Sequence, residues 1–220
     1  MERVLNLNFH GIGTPGRKLD PGEADVWVSS ERFEGLLDRA AALGGVRITF
    51  DDGNRSDVEH ALPALRRRSL AATFFVVAGR LGMRGFVDAD DVRTLRDAGM
   101  TIGCHGMHHR PWRDLDDVAL EQELVDARTI LEETVAGPVT HAACPFGSYD
   151  RRVLRALRRN GYTEVHTSDR GLARPGDWMQ TRNTVHSDDD AQLLDRILAT
   201  HRATSRDLQH RAKLLAKRLR

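Results

Sequence analysis

Along this chain, short apolar runs take turns with longer stretches whose apolar residues recur at helical spacing. VLNLNF (4–9) reads as a first strand, VRITF (46–50) as a second, and AATFFVVA (71–78) as the most buried-looking one. MTIGC (100–104), PVTHAAC (138–144) and YTEVHTS (162–168) continue the series. Helices are expected between them. The stretch 29–43 offers a serine cap at its start and spaces Phe33, Leu36, Leu37, Ala40 and Leu43 helically. The stretch 56–69 is helical with Pro63 inside it, so a kink is expected. The stretch 88–99 starts with acids and stops at Gly99, 115–135 is a long amphipathic helix, and 149–161 ends at Gly161. Residues 169–187 read as loop, and the pattern is helical again from 189 to the C-terminus.

Strand–helix alternation repeated this often implies parallel strands joined by crossover helices. About seven such units fit a small, distorted (β/α)7-type barrel better than an open sheet. The expected fold class is therefore α/β, in one domain spanning residues 1–220. In such barrels the chemistry gathers at the C-terminal strand ends.

Composition narrows the function classes. The 33 basic and 32 acidic side chains nearly cancel, and aromatic residues make up only 5%. That argues against a nucleic-acid binder, which shows a basic excess and stacking residues. Two cysteines, Cys104 and Cys144, are too few for a disulfide scaffold of this length. No signal peptide and no membrane-length apolar window is visible, so a cytoplasmic protein without stable membrane insertion is expected. The segment 205–220 is basic and amphipathic, and the plainest reading is a solvated terminal helix. Nothing in the sequence sets the oligomeric state.

The strand ends are where the chain becomes chemically specific. The first strand runs into His10, the second into Asp51-Asp52-Gly53, and the strand at 100–104 into CHGMHHR with His105, His108 and His109. Two adjacent carboxylates repel each other and need a positive charge nearby. His105 and His109 are four residues apart, so one helical turn would face both imidazoles the same way. Two imidazoles and a carboxylate are a common ligand set for a divalent metal. One Asp can bind the ion, and the other can take a proton from water.

TFDDG (49–53), HGMHH (105–109) and CPFGSYD (144–150) together resemble the polysaccharide deacetylases, the chitooligosaccharide-deacetylase homology domain of carbohydrate esterase family 4. The resemblance implies a distorted (β/α) barrel of the deacetylase type and metal-dependent hydrolysis of an acetyl group, most often N-acetyl, on a sugar. It implies Asp51 as general base, with Asp52, His105 and His109 as metal ligands and zinc as the commonest ion. It places Pro145, Phe146 and Gly147 at the substrate, with the Phe146 N–H facing the oxyanion. Many members carry an arginine where this chain has Ala143. Arg182, in DWMQTRNTV (177–185), is the expected substitute for orienting the base, and Trp178 is the expected wall of the acetyl pocket. The family's late histidine, the general acid, has no counterpart after residue 187. The strand ending in His10 has that form, so His10 is the expected acid.

A carbohydrate is the expected partner. Two alternatives are a hydrolase of another C–N bond, a formamide or a cyclic imide, and a carbohydrate-binding relative without turnover.

Overall fold

A computed structural model describes residues 3–202 and Lys217 of the chain. The expected terminal helix at 205–220 lies, apart from Lys217, outside the described residues. Five parallel ladders run in chain order through β1 (Val4–Phe9), β2 (Val46–Asp52), β3 (Ala72–Val76), β4 (Thr101–Cys104), β5 (His141–Ala143) and β6 (Glu164–Thr167). A two-residue β7 (Leu172–Ala173) lies antiparallel on the start of β1. Then β8 (Met179–Thr181) pairs with β6, and β9 (Asn183–Thr184) pairs with β1. Arg182 alone separates β8 from β9, so one irregular strand bridges the gap and the barrel is nearly closed. The crossover segments carry α1 (Ser30–Leu43), α2 (Leu62–Arg67), α3 (Ala89–Asp97), α4 (Asp117–Glu121), α5 (Ala127–Val135) and α6 (Arg151–Arg159), and α7 (Leu193–Arg202) follows the last strand.

The local signals act as expected. Ser29 Oγ accepts from the Arg32 N–H at the start of α1. Asp88 and Asp91 form a reciprocal capping box at the start of α3. Asp150 caps α6 through the Val153 N–H. Outward-facing residues of the first three strands form the main aromatic core. Phe50 stacks on Phe74 at 4.6 Å and on Phe9 at 5.6 Å, and Phe33 of α1 meets Phe9 edge-on at 5.0 Å. The alternate residues, Asn6, Asn8, Thr49, Asp51 and Phe75, turn into the barrel. Gly103 leaves room for them: a Cβ there would sit 2.4 Å from the Phe75 ring.

Three expectations change. The stretch 56–69 is a π turn, Asp57–Ala61, continued by α2. Pro63 has no N–H to give, and it falls in the first turn after the π segment, where none is needed. The stretch 115–135 is α4 and α5 joined by a second π turn, Gln122–Asp126. The stretch 169–187 is not all loop, because β7, β8 and β9 lie in it; each is too short for a period to show.

Candidate active site

β2 brings two carboxylates to the C-terminal mouth of the barrel by different means. Asp51 is on the inward side of the pleat, in register with Phe75. Asp52 would point away on a regular strand, but its φ of 78° turns the backbone left-handed and swings the side chain round. His109 (φ 54°) and Phe146 (φ 56°) share that unusual conformation. Three strained non-glycine residues therefore meet at one place, as functional sites tend to show.

Asp51 is buried and accepts three hydrogen bonds. Arg182, also buried, grips it through both guanidinium nitrogens, at 2.6 and 2.8 Å, and Asn8 Nδ2 donates to Oδ2 at 2.9 Å. Arg182 donates as well to Asn8 Oδ1 at 2.8 Å, and Asn8 Oδ1 accepts from the Thr49 hydroxyl at 2.9 Å. Burial opposes the Asp51 charge, but Arg182, His105 and His10 outweigh it and hold the carboxyl far below the usual range. Asp52 is likewise held below that range: burial opposes its charge, and His109, His10 and His105 prevail.

His105 Nδ1 meets the Ala143 carbonyl at 2.9 Å, which fixes the ring with Nε2 toward the carboxylates. Nε2 lies 3.6 Å from Asp52 Oδ1 and 3.8 Å from Asp51 Oδ2. His109 Nε2 lies 3.2 Å from Asp52 Oδ1, and burial pushes its imidazole down to about 4, so the ring keeps its lone pair at neutral pH. The expected helical turn between the two histidines does not form. Gly106 (φ 83°) and the left-handed His109 bend the loop instead and bring the rings to 5.0 Å. His108 faces solvent.

The donors fit a divalent metal. Asp52, His105 and His109 each offer one atom within 4.8 Å of the others, and Asp52 Oδ1 is buried with no hydrogen-bond partner among the described residues. His10 also lines the site, with Nε2 4.0 Å from Asp51 Oδ2. All five side chains line a cleft of about 580 Å³, with Asp20, Glu23, Arg80, Ser168 and Thr184 on its walls. Phe146, 67% exposed, stands at the rim with its ring 4.5 Å from His109. Pro145 and Gly147 are buried and shape the turn that presents Phe146, without lining the cleft.

Trp178 is elsewhere. It precedes β8, which runs parallel to the other strands, so it sits at the N-terminal end of the barrel. There its Nε1 donates to the Tyr162 carbonyl and the Arg158 guanidinium stacks on its ring at 4.0 Å. It is not a wall of this cleft.

Two contributors escaped the sequence reading. Asn8 was legible in principle, because two asparagines at period two in an otherwise apolar strand mark an inward polar face. Glu123 was not. The π turn aims its buried carboxylate at the histidine loop, where it accepts from the backbone N–H groups of Met107 (2.9 Å) and His108 (3.1 Å) and from Trp112 Nε1 (3.4 Å). A Cβ on Gly106 would collide with it at 2.2 Å.

Residues 42–165 match the polysaccharide deacetylase family. A peptidoglycan-N-acetylglucosamine deacetylase of Bacillus cereus is 29% identical over 136 residues, 60% of this chain and 62% of that protein. A chitooligosaccharide deacetylase of Azorhizobium caulinodans is 30% identical over 153 residues, 67% of this chain and 69% of that protein. Matches to the curated relatives span between 53% and 69% of their length. A Streptococcus pyogenes deacetylase solved with acetate has the same fold, with a TM-score of 0.78, 19% identity, and coverage of 89% of this chain and 98% of that one. The match over more than half of its length, together with the 30% identical relative, shows that this chain belongs to the polysaccharide deacetylase family.

Proposed function

We propose that this protein is a metal-dependent hydrolase that removes an acetyl group, most readily N-acetyl, from an N-acetylhexosamine-containing carbohydrate. One observation carries the reading: a buried carboxylate locked by Arg182 and Asn8 stands beside an Asp-His-His donor set and beside His10. Two relatives named for deacetylating peptidoglycan N-acetylglucosamine and chitooligosaccharide support the N-acetyl choice.

A divalent ion, zinc by preference, held by Asp52, His105 and His109 would polarise the acetyl carbonyl and lower the pKa of water. Asp51 takes the proton. Its bond to Arg182 keeps it ionised at working pH and disfavours retention of the proton, which returns to His10 once that ring has given its own proton to the leaving nitrogen. His10 is placed to protonate the departing nitrogen. The Phe146 backbone N–H, in the turn after β5, is the donor proposed for the developing oxyanion. The exposed Phe146 ring gives a sugar an apolar face to stack on, and the polar cleft walls suit hydroxyl groups. Arg182 supplies the base-orienting contact that Ala143 lacks, which weighs against a relative without turnover.

The test is acetate release from N-acetylglucosamine oligomers and from O-acetylated sugars by zinc-loaded protein, with Asp51→Asn as the control. Acetate from the N-acetyl series, lost in Asp51→Asn, is expected. No acetate from any acetylated sugar, or release that survives Asp51→Asn, would overturn the reading.

A further inference from the structure

A second cluster of metal-type donors lies at the opposite end of the barrel. His141 and Glu164 are register partners at the starts of β5 and β6, and His166 is two residues further along β6. By the pleat, all three turn toward the barrel interior. One donor atom from each lies within 4.8 Å of the other two. His166 Nε2 meets Glu164 Oε1 at 2.7 Å, so this is the ring nitrogen that faces the carboxylate and can share an ion with it. The His166 ring is only 1% exposed, and His141 Nδ1 is buried with no hydrogen-bond partner among the described residues. A buried nitrogen left without a partner is unfavourable unless something satisfies it.

We propose that His141, Glu164 and His166 form a second, structural site for a divalent metal of the zinc type at the N-terminal mouth of the barrel. Two imidazoles and one carboxylate match zinc or cobalt, with outer positions left for water. Burial lowers the pKa of both imidazoles. His141 and Glu164 are half-buried, which gives the ion a way in. Arg47, 3.7 Å from Glu164, is the one competing cation near that carboxylate among the described residues, and its side chain is 42% exposed and can swing out.

The site is separate from the cleft. Phe75 fills the barrel between them, with its ring 4.8 Å from His166 on one side and 5.1 Å from the Arg182 guanidinium on the other. Its role follows from the ladders. β5 has a single registered pair with β4, Cys104 with Ala142, so it hangs mainly on β6. An ion tied to His141 of β5 and to Glu164 and His166 of β6 cross-links those strands below the turn that presents Phe146. It acts on stability, not on the chemical step.

The experiment counts bound zinc per chain after dialysis against excess zinc, in wild type, in His105→Ala/His109→Ala and in His141→Gln. Cobalt substitution gives a spectroscopic check of N and O coordination. The expected counts are two, one and one. Acetate release should survive in His141→Gln, and zinc should raise the Tm of the His105→Ala/His109→Ala protein. His141→Gln is chosen because that residue is half-exposed; buried His166→Gln is a second variant, scored by metal count only if it folds. One zinc in wild type that is absent from His105→Ala/His109→Ala and unchanged in His141→Gln overturns the second site and leaves the first. One zinc that persists in His105→Ala/His109→Ala and disappears in His141→Gln supports the second site and overturns the cleft site. No zinc in any of them overturns both.

Discussion

Arg182 and Asp51 form the contact on which the proposed base depends, and its strength can be worked out. Both groups are buried, and the guanidinium reaches both carboxylate oxygens at 2.6 and 2.8 Å. At an effective dielectric of about 20, two unit charges about 4 Å apart attract by about 4 kcal/mol. Removing one partner of a buried pair costs about 3–5 kcal/mol, because the other is left charged in a dry place. Arg182→Met should therefore destabilise the protein by about that much, a large share of a domain's ~5–15 kcal/mol. Asp51→Asn strands the guanidinium in the same way. The double variant strands neither, so it should lose far less than the sum of the two. Urea unfolding of the three variants and wild type closes the cycle, with an expected coupling of about 3–5 kcal/mol. A coupling under about 1 kcal/mol, the exposed-pair range, would refute the argument that this contact fixes the base.

Three further outcomes are expected. Glu123→Gln removes charge from the acceptor of two loop N–H groups, so stability should fall by about 1.5–3 kcal/mol and zinc should bind at least ~10-fold more weakly; a zinc titration with unchanged affinity would discard the loop-holding role. Asp57 is buried with both oxygens unpartnered among the described residues, and burial followed by the charges of Asp52 and Asp51 raises its pKa well above the ordinary value. Its folded pKa exceeds the unfolded one, so it costs stability as pH rises above about 4, and Asp57→Asn should raise Tm more at pH 7.5 than at pH 4; an equal shift at both would contradict this. Trp178→Phe loses one hydrogen bond and about 1 kcal/mol, with kcat/KM unchanged; a tenfold rate loss without a stability loss would put the ring back in the cleft.

The sequence by itself determined the fold class and marked most of the residues that meet in the cleft. Period, caps and glycine stops placed the strands and helices, and the carboxylates and histidines fell at strand ends, where a parallel barrel collects them. Local sequence also marked Pro63 as a disturbance, though not the π turn that absorbs it. What only tertiary structure decided were contacts made far along the chain. Arg182 lies 131 residues from Asp51 and meets it because one irregular strand bridges β6 and β1. Trp178, four residues before Arg182, is left at the other end of the barrel by the direction of that same strand. The turn of Asp52, the bend at His109 and the aim of Glu123 are backbone choices that residue type only weakly favours. They are stable because the closed barrel, the buried donors and the packed loop outweigh their local cost, and those terms exist only once the chain has closed on itself.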